Sequence, residues 1–194
     1  MTDSPPDIRP ASATSRALRS TIEWVVIIAG ALIVALAVRT FVVQPFYIPS
    51  ASMQPQLMVG DRVLVNKMSY HLHDINRGDV VVFERPKCES GEPAIKDLIK
   101  RVIGLPGERV EARGGSIYID GRRLAEPYLP TTAITSDFGP VEVPAHHIWV
   151  MGDNRQNSKD SRFLCNNGPT FIDEGGVVGR AFVRVWPPAD MGGL

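Results

Sequence analysis

Hydrophobic and polar positions fall into two regimes along the chain. Residues 22–43, IEWVVIIAGALIVALAVRTFVV, are almost continuously apolar, with no charge between Trp24 and Val38. A helix of about 20 such residues matches the thickness of a bilayer core. The pattern therefore predicts one membrane-spanning helix over 21–43. Glu23 and Arg39 stand near its ends, where long side chains reach the interface. A cleavable leader would have a shorter apolar region and a small-residue cleavage site. The following VVQPFYIP lacks that site. After residue 43 the pattern breaks into short β-branched runs: DRVLVNKM, DVVVFER, LIKRVIG, ERVEARG, SIYIDGRRL, HIWVMGD and VVGRAFVRVW. Gly, Pro, Asp and Asn punctuate them, which predicts a mainly β domain over 44–194, a sandwich or barrel. In GGSIYIDGRRL, Ile117 and Ile119 share one face and Tyr118 takes the other, before an Asp-Gly turn signal. That is a hairpin arm.

The flanks give orientation and the composition sets limits. The Pro- and Ser-rich tail 1–20 predicts disorder. Its Arg9, Arg16 and Arg19 place it in the cytoplasm and the β domain on the outer face. No second apolar run of that length occurs, so a single pass is expected. A chain of 194 residues holds one domain plus an anchor, and 44% hydrophobic content suffices for a core. Basic and acidic residues balance at 21 each, with no basic stripe interleaved with aromatics, so no nucleic-acid partner is expected. Cys88 and Cys165 form no CxxC and are too few for a zinc site. Both lie in polar, turn-rich stretches, and outside the membrane oxidation is permitted. The expectation is a Cys88–Cys165 disulfide.

Peptide hydrolysis needs a nucleophile, a base and donors for the oxyanion. PFYIPSASMQPQL, residues 45–57, places Ser50 and Ser52 directly after the apolar run. Pro45, Pro49 and Pro55 favour an extended path over a continued helix. Among bases, His71 and His73 in YHLHDIN and His146 and His147 in PAHHIW read as solvated loop residues. A triad of His146 or His147 with Asp153 stays open. A lysine base must be neutral, which requires burial among apolar neighbours. Lys87, Lys96 and Lys159 have polar surroundings, and Lys67 ends its strand. Lys100 in DLIKRVIGLPG shares a strand face with Leu98 and Val102 and is the best candidate. In MGDNRQNSKDSR, residues 151–162, Asp160 and Arg162 can pair. Asp153 and Asn154 can bond their own backbone in a turn, and Ser158 can bond a neighbouring amine.

PSASMQPQL, KRVIGLPGE and GDNRQNSKDSR, in that order after an apolar helix and with GDRVLVNK behind the first, resemble the motifs of bacterial type I signal peptidases. The resemblance covers most of residues 44–185. It implies a membrane-bound serine–lysine endopeptidase that cuts signal peptides from secretory preproteins at the outer face of the cytoplasmic membrane, beside the export machinery. Ser52 matches the nucleophile and Lys100 the general base. The Ser52 N–H and the Ser50 hydroxyl match the oxyanion hole. Ser158 matches the lysine-orienting serine, and Asp160 with Arg162 the supporting pair. Phe46, Ile48, Leu98 and Ile99 match the walls that accept small substrate side chains. No metal and no cofactor is implied. Ala51 stands where glycine is frequent, and Glu108 where aspartate is. A soluble self-cleaving repressor-type protease would lack the anchor and carry a basic DNA-binding domain. A non-catalytic tethered β domain would not need Ser52.

Overall fold

The structure is a computed structural model that describes residues 13–89, 95–165 and 168–194. It divides into a helical unit ending at Phe41 and a β unit from Val42 to Leu194. The helical unit is helix α1 (Ala13–Phe41). Within it, Thr21–Arg39 is long and apolar enough to cross a membrane by length and composition. Two boundaries differ from the sequence expectation. Residues 1–12 of the expected tail lie outside the described residues, while 13–20 belong to α1. At the other end Val43 opens a strand instead of closing the helix. Val42 and Val43 are β-branched and Pro45 follows closely, so both local preferences oppose another helical turn. The Val42 carbonyl accepts from Lys67 N at 2.9 Å, which fixes it to the β unit.

The β unit holds, in chain order, β1 (Val43–Tyr47), β2 (Arg62–Asn66), a short helix α2 (Ser69–Leu72), β3 (Val80–Glu84), β4 (Asp97–Gly104), β5 (Arg109–Arg113), β6 (Ser116–Ile119), β7 (Arg122–Arg123), β8 (Phe138–Glu142), β9 (His147–Met151), β10 (Ile172–Asp173), β11 (Val177–Trp186) and β12 (Gly192–Gly193). Among the described residues they form two antiparallel sheets. The larger runs β1-β2-β11-β3-β4-β9-β10, with β12 added to β11. The smaller runs β7-β6-β5-β8. The chain is thus mainly β after an apolar N-terminal helix, as the sequence predicts.

Burial explains which runs became central. β3 is four buried apolar residues in succession, with no alternation, because both its faces are covered. Val80 and Val82 join one cluster with Ile48, Met53, Leu57, Val63, Val65 and Ile99. Val81 and Phe83 join another with Val102, Ile148, Val150 and Leu164. A third cluster joins Ile103, Trp149 and Met151 to Val110, Ala112, Ile117 and Ile119 of the small sheet. The Asp-Gly hairpin forms between β6 and β7: Asp120 and Gly121 take φ of 50° and 76°, the left-handed pair that a two-residue turn requires. Cys88 and Cys165 are joined by a disulfide with Cα atoms 5.4 Å apart.

Candidate active site

Three stretches meet at one end of β4. The first follows β1. Ala51–Met53 make a single 3-10 turn, with Ser50 at its N-cap in extended backbone. Met53 is fully buried in the core and anchors the turn, which leaves Ser52 only 8% exposed at a cavity wall. The Ser50 and Ser52 hydroxyl oxygens lie 3.3 Å apart.

The second stretch is β4. Lys100 pairs in register with Val81 and is 4% exposed. Its Nζ lies 2.8 Å from Ser52 Oγ and donates to the Ile99 carbonyl at 2.8 Å. Burial lowers its pKa from 10.5 to about 8, against the opposing pull of Asp160, Asp153 and Glu89. The neighbouring residue supports the strand. Arg101 grips Asp153 through Nε and Nη2 at 2.8 and 2.7 Å, and its guanidinium lies 4.0 Å from the Tyr128 ring centre.

The third stretch, residues 152–162, braces both. Asp160 accepts twice from Arg162 at 2.7 Å, in a fully buried pair. Its Oδ2 also accepts from Gly152 N at 3.0 Å. Asn154 then reaches the Ala51–Met53 turn, its main-chain N–H donating to the Ser52 carbonyl at 3.0 Å and its side chain to the Ala51 carbonyl at 3.1 Å. Gly152 makes that approach possible. A Cβ there would stand 2.4 Å from Ser52 O and 2.3 Å from Ser158 Oγ.

The structure brings Ser50, Ser52, Lys100, Asp160 and Arg162 together, and Phe46, Ile48, Leu98 and Ile99 all line one cavity of about 460 Å³ that opens onto Ser52 and Lys100. Two expectations need correction. Ser158 Oγ is buried without a hydrogen-bond partner, so the bond to Lys100 that the resemblance implies is not formed. The second Lys100 bond goes to the Ile99 carbonyl because that acceptor lies on the adjacent residue. Asp153 and Asn154 do not close a local side-chain turn; Arg101 and the Ser52 turn claim their side chains.

The histidine alternative is not assembled. Both Asp153 oxygens are held by Arg101, His147 Nδ1 bonds the Ala145 carbonyl, and His146 faces Glu174 at 3.8 Å. His71 and His73 are exposed. Arg101 and the buried Arg155, which pairs with Glu126, are not singled out by the sequence, and neither is the bond from Asn154 to the Ser52 turn. Arg101 adjoins Lys100, and Asn154 adjoins Asp153, but their partners are distant in sequence.

Comparison with known proteins matches residues 21–186 to the family model described as signal peptidase, peptidase S26. The chain is 40% identical to signal peptidase I of Leptolyngbya laminosa over 97% of its own length and 91% of that protein. It is 38% identical to signal peptidase I of Bacillus amyloliquefaciens, covering 94% and 95% of the two chains. A solved signal peptidase I from Enterococcus faecalis is 31% identical, covering 56% of this chain and 97% of that one, with a TM-score of 0.45.

Proposed function

We propose, since this chain belongs to the signal peptidase family, peptidase S26, that it cleaves signal peptides from preproteins with Ser52 as nucleophile and Lys100 as base. The observation that carries the reading is the 2.8 Å contact between Lys100 Nζ and Ser52 Oγ at the wall of an apolar cavity. A lysine is a base only when neutral, and burial moves Lys100 into the range where the neutral amine is populated near pH 8. The neutral amine then accepts the Ser52 proton as Oγ attacks the carbonyl carbon. The oxyanion takes hydrogen bonds from the Ser52 N–H and the Ser50 hydroxyl. Collapse breaks the C–N bond, and Lys100 returns the proton to the departing amine. Water, deprotonated by the same lysine, hydrolyses the acyl-enzyme.

The cavity also suggests how the substrate lies. β1 is the outermost strand of its sheet. β9 pairs with β4 only from Arg101 onward, which leaves the edge of 97–100 open. Both edges border the cavity, so an extended peptide can add to either as a strand. Ile48, Ile99, Phe46 and Leu98 form apolar walls suited to small apolar side chains before the cut.

In this reading α1 is a single-pass anchor, its N-terminal side is cytoplasmic, and the β unit works on the outer face beside the export machinery. The test is cleavage of a detergent-solubilised preprotein, with the cut site read by mass. Ser52→Ala and Lys100→Met are each expected to lose at least about a thousandfold in kcat/KM. A Lys100→Met enzyme that cuts near the wild-type rate would remove Lys100 as the base.

A further inference from the structure

A second cavity lies on the other side of the nucleophile's turn. Residues 46–52 line the first cavity, whereas Gln54 and Pro55 line the second, together with Thr132, Ala133, Ile134 and Asn154. Its volume is about 390 Å³, within the range of specific ligand sites. Asn154 belongs both to this wall and to the brace on Ser52, since it bonds the Ser52 and Ala51 carbonyls. The cavity is therefore linked to Ser52 through Asn154.

The reaction needs room in that direction. If the acyl half of the substrate fills the cavity bounded by β1 and β4, the residues after the scissile bond must leave on the opposite side of the Ala51–Met53 turn. We propose that this second cavity is the subsite for the first residues of the released mature chain, and that it selects uncharged side chains there. The inference rests on Ser52 being the nucleophile.

The selectivity follows from the lining. Two charged residues contribute to the wall, and both are committed elsewhere. Asp153 gives both oxygens to Arg101. Arg155 is 4% exposed and bonds Glu126, Thr135 Oγ1 and the Gly152 carbonyl. The rest of the wall is apolar, as at Pro55, Ala133 and Ile134, or neutral, as at Gln54, Thr132 and Asn154. A charged side chain entering it would lose water and gain no opposite charge. Ile134 is 57% exposed, an apolar side chain of this rim without full cover.

The experiment uses the full-length protein in detergent and peptides identical up to the cut. One peptide ends one residue after it; a second continues for five Ala and Ser residues; a third carries Asp at the first two of those positions. The wild type is expected to favour the long neutral peptide over the short one by about tenfold in kcat/KM, the gain from covering an apolar side chain or two. The Asp peptide should lose most of that gain. Ile134→Asp and Thr132→Trp, both at exposed positions, should each bring the long-to-short ratio towards one. A wild-type ratio near one, or a ratio that neither variant moves, would overturn the subsite while leaving the Ser–Lys reading intact. If the wild type cuts no peptide, the Ser–Lys reading fails and the subsite falls with it.

Discussion

In the proposed mechanism Lys100 sets the pH behaviour of the site. Below about pH 8 the amine is protonated and has no lone pair for the Ser52 proton. The kcat/KM profile is therefore expected to rise with pH along a limb centred near 8, and a limb near 10.5 would show the lysine to be solvated. The same burial has a stability sign. The folded pKa lies below the unfolded one, so the unfolded chain binds the proton more tightly and the fold is penalised at low pH. That penalty is complete below about 8 and gone above 10.5. Lys100→Met should thus raise the thermal midpoint at pH 6 and confer no such advantage at pH 11, while activity is lost at both. Gly152 makes a sharper packing prediction. An added Cβ would sit 2.4 Å from the Ser52 carbonyl and would push the turn off its brace. Gly152→Ala is expected to lower kcat more than tenfold in a protein whose circular dichroism is unchanged. Ser50 and Ser52 stand out in the sequence as hydroxyls directly after the apolar run, and Lys100 as an amine between apolar neighbours; the choice of Ser52 as nucleophile comes from the resemblance. The roles of Arg101 and Asn154 were not legible, since each acts on a partner about fifty or a hundred residues away.

At the level of elements, the strands with clean patterns appeared where expected, and those formed by context did not. β2, β5 and β6 alternate in burial, and β3 is continuously apolar, so period and composition expose them. β1, VQPFY, contains Pro45 and reads as a breaker, yet the outermost position in the sheet tolerates a residue without N–H. β8, FGPVE, escapes for the same reason on the edge of the small sheet. Glu108, a departure from the family pattern, still holds its turn together. It accepts from Leu105 N at 2.7 Å and pairs with Arg77. The loop between β9 and β10 depends on a pair rather than on strand pairing. Asp160 is fully buried and holds both Arg162 and Gly152 N. Asp160→Asn removes the negative partner and leaves a buried guanidinium uncompensated. A loss of about 3 kcal/mol in urea unfolding is expected, with falling activity as Gly152 and Asn154 are released.

At the scale of the whole molecule, two independent features bear on which side of the membrane the β unit occupies. The arginines at 9, 16 and 19 favour a cytoplasmic N-terminus. The Cys88–Cys165 disulfide favours an oxidising compartment for the domain that carries it. The bond also borders the cleft, because Glu89 and Leu164, each next to one of the cysteines, line the cavity at Ser52. It closes a loop of 77 residues, for which chain entropy gives about 4.5 kcal/mol. Reduction should therefore lower the thermal midpoint of the full-length protein in detergent and raise KM more than it lowers kcat, since the wall moves and the Ser52–Lys100 contact does not. The topology itself is testable in intact spheroplasts of cells expressing the chain with an N-terminal tag. Protease added outside should digest the β unit and spare the tag until detergent is added. Maleimide added outside should label neither cysteine before reduction and both after reduction and denaturation. A β unit protected from the protease, with both thiols reactive before reduction, would place it in the cytoplasm. The arginine bias would then have misdirected the orientation, and the outer-face reading of signal-peptide cleavage would fail with it.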